Sequence, residues 1–349
     1  MVDSSLRKLD KSNMYLTIYN FFEQILKGIE IGEAADLKNL SGRSFTDIVV
    51  SGMGGSAIGG ELLRSYLRTE LKIPMTIHRN YNLPEHVTGN SLVICSSYSG
   101  DTEETLSAYV KAKERGCSLL CISTNGKLAE QARADNFALV KIPTGMMPRE
   151  ALGYSFTPLL KIFSRLGLCR DHSAELLKCG QNLKAWAEEY SFETPDNKAY
   201  ELASRLKGKT VIIYAGPDYF DAVGLRFKGQ ICENAKQLAF FNVFPEFNHN
   251  ELVGWELSTS FADNYMVIML RDEIDHPRIA SRMNIVKGLI FEKGVEVIEL
   301  YSKKGDLLSR MFSQIQFGDF VSYYLALMNG IDPTPIYMID YLKNELSRE

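Results

Sequence analysis

The chain has 349 residues, 45% of them apolar, and a formal net charge of −4. That length and composition suit one large or two medium globular domains, and the acidic balance argues against nucleic-acid or anionic-membrane partners. No apolar run approaches the roughly 18 residues of a membrane span, and the N-terminus has no apolar signal-peptide core, so we expect neither.

The six cysteines and five histidines show no metal-site spacing. The cysteines follow no CxxC pattern, and no HxH or HExxH pair occurs. Scattered cysteines of this kind are typical of reduced core residues in a cytoplasmic protein. We therefore expect cytoplasmic localisation and no metal site.

The first half of the chain alternates apolar, β-rich runs with helical patterns. Strands are predicted at residues 47–51, 74–78, 92–95, 119–122 and 137–140. Helical patterns fill the intervals, for example at 58–67 and 102–115. Strands alternating with helices predict a parallel sheet that is covered on both faces.

The same pattern restarts in the second half, after a mostly helical stretch that includes 158–166 and 175–189. A long helix is predicted at 219–236, and four strands at 211–216, 239–241, 265–270 and 295–300. The predicted fold is α/β, with two doubly wound, Rossmann-like domains whose parallel sheets are flanked by helices. The predicted boundaries are an N-terminal helical segment at 1–30, a first domain at 31–155, a helical connector at 156–200, and a second domain with a C-terminal helix at 201–349.

A glycine-rich turn, SGMGGSAIGG at residues 51–60, follows the first predicted strand. Residues 52–57 match GxGxxA, but a dinucleotide site also needs an acid at the end of the next strand, which here reads His78-Arg79-Asn80. Arg79 could still serve a 2′-phosphate, so a nucleotide-dependent oxidoreductase stays open. The alternatives are close approach of the backbone to another ligand, and a turn that only packs helix on sheet.

The second turn, SSYSGDTEET at residues 96–105, holds more hydroxyls than one helix cap needs. A tight turn at Gly100 could bring Ser97, Ser99 and Thr102 together, and such a ring beside free N–H groups suits a phosphate. The Walker sequence GxxxxGK[ST] is absent, so a sugar-phosphate monoester is the expected ligand. The nearby acids would repel phosphate unless they point away.

Six motifs follow one another in the chain: SGMGGSAIGGELL, SSYSGDTEETL, PREALGYSF, KGQICENAK, NHNELVGW and IDPTPIYMIDYLKNEL. They carry a resemblance to a known family that runs from about Met14 to Lys343. Together they resemble the bifunctional phosphoglucose/phosphomannose isomerases of the sugar isomerase (SIS) superfamily. The resemblance implies two SIS domains and a homodimer with a shared active site. It also implies an enzyme without metal or cofactor that interconverts glucose 6-phosphate or mannose 6-phosphate with fructose 6-phosphate.

The resemblance also assigns roles to residues of the two turns. Ser97, Ser99 and Thr102 would hold the phosphate. Ser56 and the turn at Gly54 and Gly55 would close on the sugar.

Four further residues match catalytic positions of the family. Arg149 matches an active-site arginine and Glu233 matches the catalytic base. His249 matches the ring-opening histidine, which in this superfamily comes from the neighbouring subunit. Lys343 matches a C-terminal lysine that reaches the site.

The chemistry of an aldose–ketose isomerase agrees with these residue types. One base must move a proton between C1 and C2, and a cation must stabilise the enediolate. Glu233 shares a helix face with Arg226, Gly229 and Gln230, and the glycine would allow close approach of substrate. From spacing alone, a surface Glu–Arg cluster remains an alternative. A non-catalytic SIS module that binds a sugar phosphate, and an isomerase of another phosphosugar, also remain open.

Overall fold

The structure, a computed structural model, describes residues 3–348. Nine strands form two sheets, and all the pairings among the described residues are parallel. The strands are β1 (Ile48–Ser51), β2 (Met75–His78), β3 (Leu92–Ser96), β4 (Ser118–Ser123), β5 (Ala138–Lys141), β6 (Thr210–Ala215), β7 (Ala239–Val243), β8 (Tyr265–Arg271) and β9 (Glu296–Tyr301).

Helices precede, separate and follow the strands. The α-helices are α1 (Met14–Tyr19), α2 (Phe21–Ala34), α3 (Gly54–Tyr66), α4 (Glu103–Glu114), α5 (Gly126–Ala134), α6 (Leu152–Arg165), α7 (Ser173–Glu189), α8 (Lys198–Leu206), α9 (Asp221–Ala235), α10 (Pro277–Glu292), α11 (Leu307–Met328) and α12 (Tyr337–Leu346). Among residues 3–348, four 3₁₀ segments lie at Ser4–Leu9, Pro148–Glu150, Glu246–His249 and Glu251–Asn264. None of the helices within 3–348 is long and apolar enough to cross a bilayer.

The chain forms two compact units. The N-terminal unit comprises residues 20–184 and 304–312, and the C-terminal unit comprises residues 3–19, 185–303 and 313–348. In the N-terminal unit the strand order is β2-β1-β3-β4-β5. One face of that sheet buries its side chains against α4 and α5, and the other face lies against α3.

The C-terminal unit repeats this arrangement with four strands in the order β7-β6-β8-β9. One face of its sheet packs on α10 through a cluster that includes Val267, Met269, Met283 and Ile290. Helix α9 lies along β6 and β7. The predicted fold class, two doubly wound α/β domains with parallel sheets, is confirmed.

All nine predicted strands are present within two residues of their predicted ends, but two helix starts differ. Helix α3 begins at Gly54, four residues before the predicted start, so the glycine turn is itself the first turn of the helix. Helix α6 begins at Leu152 and contains Pro158, which the sequence had placed at its start. Proline favours the first helical turn, which is why the sequence predicted a helix start at Pro158. Here close packing of α6 on α2 outweighs that local preference, because Cβ atoms added at Gly28 and Gly32 of α2 would clash with α6.

Candidate active site

The strand order of the N-terminal unit reverses direction between β1 and β3. Ligands of doubly wound sheets bind at such a switch point, beyond the carboxyl ends of the strands. Here the two loops at that point are residues 52–57 and 97–102, so the glycine turn and the hydroxyl-rich turn are neighbours.

The hydroxyl-rich turn folds around Gly100, whose φ is +83°. Ser97 Oγ lies 2.9 Å from Thr102 Oγ1 and accepts a hydrogen bond of 3.0 Å from Gly100 N. Ser99 is exposed, and its Oγ accepts a bond of 3.2 Å from Asp101 N. The turn therefore brings Ser97 and Thr102 together, while Ser99 occupies the same turn with a bond of its own.

The start of α4 lies directly behind these hydroxyls. Thr102 is the N-cap residue, but within the described chain its side chain makes no capping bond to α4. Asp101 points toward α5, where its carboxylate accepts a bond of 3.0 Å from Lys127 N. Glu103 accepts from Tyr81 Oη at 3.4 Å. The hydroxyls thus do not serve as the side-chain cap, and these two acids are engaged elsewhere.

The glycine turn opens α3 on the other side of the switch point. Gly54 has φ +46°, and a Cβ added there would meet no described atom within 4 Å, so the turn borders open space. A Cβ on Gly55 would lie 2.5 Å from the carbonyl carbon of Pro148 and 2.7 Å from Arg149 N. Ser56 Oγ accepts a bond of 3.0 Å from Tyr98 N. These contacts bring the glycine turn, the hydroxyl turn and Arg149 together.

Arg149 lies in the short 3₁₀ segment Pro148–Glu150 and is only 2% exposed. Glu150 Oε2 accepts a bond of 2.7 Å from Met147 N, which closes the turn. Gln24 on α2 donates to Glu150 O at 2.7 Å. The backbone on both sides of the arginine is therefore anchored to the fold.

The nucleotide alternative loses its remaining support in the same unit. Arg79 Nη1 forms an ion pair of 2.9 Å with Glu61 Oε1, and Glu61 is a largely buried residue of α3. The arginine that could have held a 2′-phosphate is therefore paired with a carboxylate of this chain.

Glu233 lies in the C-terminal unit, half-buried and two residues before the end of α9. One turn earlier, a Cβ added at Gly229 would meet no described atom within 4 Å. The neighbours Arg226 and Gln230 bind Asp319 of α11 with bonds of 2.8 to 2.9 Å. Burial raises the pKa of Asp319, and the Arg226 guanidinium opposes that rise. Arg226 and Gln230 thus anchor α9 on α11, which the surface-cluster interpretation did not anticipate.

Lys343 belongs to the exposed helix α12. The segment before α12 is tied to the end of α9 by Lys236, whose ammonium donates to Glu233 O at 2.8 Å and to Pro333 O at 2.7 Å. The segment that leads into the helix of Lys343 is therefore anchored at the end of α9 that carries Glu233.

His249 ends the 3₁₀ segment that follows β7, and its side chain is exposed. Glu251 holds this loop to the sheet, because its carboxylate accepts from Tyr214 Oη at 2.5 Å and from Asn242 Nδ2 at 2.6 Å. Phe247 stacks on the Tyr214 ring at a centroid distance of 4.0 Å. The loop is thus fixed at the carboxyl edge of the sheet.

Glu233 and His249 lie at opposite ends of β7. Cys232, next to Glu233, bonds to the carbonyl of Ala239, the first residue of the strand, whereas His249 follows its last residue, Val243. A strand of five residues spans about 13 Å between its end Cα atoms. A whole strand therefore separates the two side chains within one chain.

No group of three or more His, Cys, Asp or Glu residues with the geometry of a metal site occurs within residues 3–348.

The sequence of a bifunctional phosphoglucose/phosphomannose isomerase from Caldicellulosiruptor bescii is 46% identical to this chain over 338 residues, which cover 96% of the chain and 99% of that protein. The chain belongs to the bifunctional phosphoglucose/phosphomannose isomerase family. A member from Aquifex aeolicus is 35% identical over 305 residues, covering 87% of the chain and 91% of that protein.

Two further likenesses agree with this family. Residues 195–346 match the bacterial phospho-glucose isomerase C-terminal SIS domain. The C-terminal domain of glucosamine-fructose-6-phosphate aminotransferase from Francisella tularensis superposes with a TM-score of 0.71 at 15% identity, covering 92% of this chain and 98% of that one. This last likeness shows the SIS-type fold and no more.

Three residues of this isomerase that sequence reasoning missed connect the candidate site residues to the fold: Tyr98, Glu251 and Asp319. Tyr98 and Glu251 stand inside the motifs SSYSGDTEET and NHNE, so their positions were a usable signal. Asp319 carried no signal, because its partner Arg226 is 93 residues away in sequence.

Proposed function

We propose that this isomerase interconverts glucose 6-phosphate with fructose 6-phosphate, and mannose 6-phosphate with fructose 6-phosphate. The main support is that helices α3 and α4 both begin at the β1/β3 switch point, with Ser and Thr hydroxyls between the two helix starts. Helix starts and hydroxyls are the groups that bind a phosphate dianion. The names of the relatives supply the identity of the sugars.

The hydroxyls can donate to a phosphate without breaking the turn. Ser97 and Thr102 share one proton in their mutual bond, so one of their two protons remains for a ligand. Ser56 and Ser99 each accept from a backbone N–H, which leaves each its own proton. The phosphate would thus be held at the end of the substrate away from the reacting carbons, where binding energy orients them.

Arg149 would stabilise the enediolate formed between C1 and C2. A guanidinium stays cationic and does not compete with the base for the proton. Its burial strengthens this effect, because charges interact more strongly away from water.

Glu233 would move the proton between C1 and C2, because one carboxylate can take it from one carbon and return it to the other. The open space beside Gly229, one turn earlier on α9, leaves room for the sugar. His249, which exchanges protons near neutral pH, and Lys343 would open the ring.

The separation of Glu233 and His249 by a whole strand supports a shared site in which the histidine comes from a second copy. Exposed apolar side chains add to this support. Val253 and Leu257, just after His249, are 62% and 82% exposed, and Met338 of α12 is 89% exposed. Apolar side chains as exposed as these are available for burial against a second copy. We therefore include a homodimer with a shared active site in the proposal.

The remaining parts of the proposal concern the surroundings of the reaction. We propose that it needs neither cofactor nor metal ion and takes place in the cytoplasm, without a nucleic-acid or membrane partner. The cysteines support the compartment, because all six are free and thiols persist in a reducing environment.

The reaction is tested by giving purified protein fructose 6-phosphate in the presence of EDTA and separating the products by chromatography. We expect both aldose phosphates from the wild type. Glu233→Gln should lose about 1,000-fold in kcat, the size expected for removing a general base. Glu292→Gln, at the end of α10, is the matched control and should keep full activity.

Each other outcome has a definite meaning. Glucose 6-phosphate alone would remove the mannose activity and keep the mechanism. An active Glu233→Gln enzyme would show that Glu233 is not the base that moves the proton. No product from the wild type, together with a rise in Tm on adding fructose 6-phosphate, would favour a binding module over an enzyme.

The shared site is tested by mixing two inactive variants, Glu233→Gln and His249→Ala, under conditions that exchange subunits. If Glu233 and His249 of one site come from different copies, each mixed dimer regains one intact site. Random exchange then restores about one quarter of the wild-type activity, since half of the dimers are mixed. If both residues of a site come from one copy, no activity returns.

A further inference from the structure

Tyr98, in the middle of the hydroxyl turn, bonds to the loops that follow three other strands of its sheet. Its N–H donates to Ser56 Oγ after β1 at 3.0 Å. Its carbonyl accepts from Thr124 N at 3.1 Å and from Thr124 Oγ1 at 2.8 Å, after β4. Its hydroxyl oxygen accepts from Met146 N, after β5, at 3.0 Å. One residue thus joins the loops at the carboxyl ends of β1, β3, β4 and β5.

The bond to Met146 differs from the others because it leads to Arg149. Met146 stands three residues before the arginine, and the next amide, Met147 N, is held by the Glu150 carboxylate. The side chain of Tyr98 is therefore a direct connection from the hydroxyl turn to the arginine loop, 48 residues away in sequence.

The oxygen that makes this bond is neutral and half-buried. Burial raises the pKa of the Tyr98 hydroxyl, and the nearby Glu150 raises it further, while the bond from Met146 N lowers it. The phenol keeps its proton at neutral pH and accepts the amide hydrogen as a neutral group. A change of pH in the working range leaves the connection intact.

We propose that Tyr98 is a positioning residue that sets Arg149 relative to the phosphate held by the hydroxyl turn. This inference rests on the proposed function, in which the turn binds phosphate and the arginine stabilises the enediolate. A displacement of about 1 Å in a catalytic group can lower the rate about 100-fold. A bond that fixes the distance between anchor and arginine therefore acts on the chemical step.

Tyr98→Phe removes only the hydroxyl and leaves the ring and both backbone connections. We expect kcat to fall about 10- to 100-fold, in the range of a misplaced catalytic group. The dissociation constant of inorganic phosphate, measured by calorimetry, should stay within about twofold, because the bonds of Ser56, Ser97 and Thr102 do not involve this hydroxyl.

Tyr109→Phe is the matched control in the same unit. It also removes one tyrosine hydroxyl bond, from the buried Tyr109 Oη to Asp135 Oδ2 at 2.6 Å. It should lower Tm at most and leave kcat unchanged. Equal kcat in the two variants, or parallel losses of kcat and phosphate affinity in Tyr98→Phe, would overturn the inference.

A double-mutant cycle tests whether Tyr98 acts through the arginine. In an Arg149→Lys background, Tyr98→Phe should cost less than about twofold in kcat, because the group it positions is already changed. The full loss in that background would show that Tyr98 acts independently of Arg149, and would overturn the inference while leaving the proposed function standing. A wild type without isomerase activity would overturn both.

A measurement on the wild type avoids any folding defect of the variants. The Met146 amide should exchange its hydrogen slowly, as read from peptides spanning 143–150, both with and without inorganic phosphate, because the Tyr98 hydroxyl oxygen accepts that hydrogen. Fast exchange at this amide in the wild type would show that the Tyr98 hydroxyl does not hold the arginine loop, and would overturn the inference.

Discussion

The two units repeat one arrangement of strands and helices, but their candidate site residues lie at opposite ends of the equivalent helix. Helix α3 follows the first strand of the N-terminal unit and offers its start, Gly54 to Ser56, to the candidate site. Helix α9 follows the first strand of the C-terminal unit and carries Glu233 near its end. The repeat therefore preserves the fold and not the position of the candidate residues.

The two switch points also differ in charge. In the N-terminal unit the loops at this point supply hydroxyls and helix starts. In the C-terminal unit the loop after β8 supplies Asp272 and Asp275, and Asp218 follows β6. Carboxylates repel a phosphate, so the comparison supports the proposal that the N-terminal unit binds the phosphate.

The largest expected effect comes from giving the hydroxyl turn the charge of its counterpart. Ser99→Asp places a carboxylate in the exposed part of the turn, next to the position proposed for the phosphate. The substitution removes the hydroxyl that would donate to the phosphate and adds repulsion between the carboxylate and the phosphate. Together these effects cost about 3 kcal/mol or more of binding free energy, so kcat/KM should fall at least about 100-fold.

The control for this change is Ser44→Asp, an exposed position in the same unit, which should keep full activity. An unchanged KM in Ser99→Asp would show that the phosphate lies elsewhere, and the contrast between the two switch points would lose its functional meaning.

A smaller effect is expected at the acidic switch point, where Asp275 matters for stability. Burial raises its pKa from 3.8 to about 6, so the folded chain holds the proton more tightly than the unfolded chain does. The contribution of Asp275 to the free energy of unfolding is fully present below about pH 4. It falls as the pH rises from about 4 to about 6, and above that range the free energy stays lower by a constant amount. Asp275→Asn should therefore raise the free energy of unfolding at pH 7.5 by about 2 kcal/mol and change it little at pH 4.

Denaturant unfolding at the two pH values measures this difference. Asp340→Asn, on exposed α12, should shift stability by less than about 0.5 kcal/mol at either pH. Isomerase activity should be unaffected by Asp275→Asn. A loss of phosphate binding in that variant would contradict the assignment of the anchor to the N-terminal unit.

The smallest expected effect concerns the open space beside Gly229 on α9. Alanine suits a helix interior better than glycine by about 0.5 to 1 kcal/mol, so Gly229→Ala should raise Tm. If substrate approaches this face, the same methyl group should lower kcat/KM about tenfold, as a loss of about 1.4 kcal/mol implies.

Gly288→Ala in α10 provides the comparison, because an added Cβ there also meets no described atom within 4 Å. It should bring the same gain in Tm and no loss of activity. Equal activities of the two alanine variants would show that the substrate does not approach this face of α9.

The sequence by itself determined the elements of the fold and the chemistry of the hydroxyl turn. Apolar runs bounded by turn residues predicted all nine strands, and their alternation with helices predicted two parallel sheets. The turns at residues 52–57 and 97–102 could be placed at the carboxyl ends of strands for the same reason. Strand patterning and turn preferences are encoded within about ten residues, so one sequence suffices to read them.

Only the tertiary structure decided which side chains meet. The contact of Gly55 with the arginine turn, the bond from Met146 to Tyr98 and the pairing of Arg226 with Asp319 all join segments distant in sequence. It also decided that α6 continues through Pro158, and that a whole strand separates Glu233 from His249. Such features depend on how distant elements pack, and local patterns carry no information about the partner across that distance.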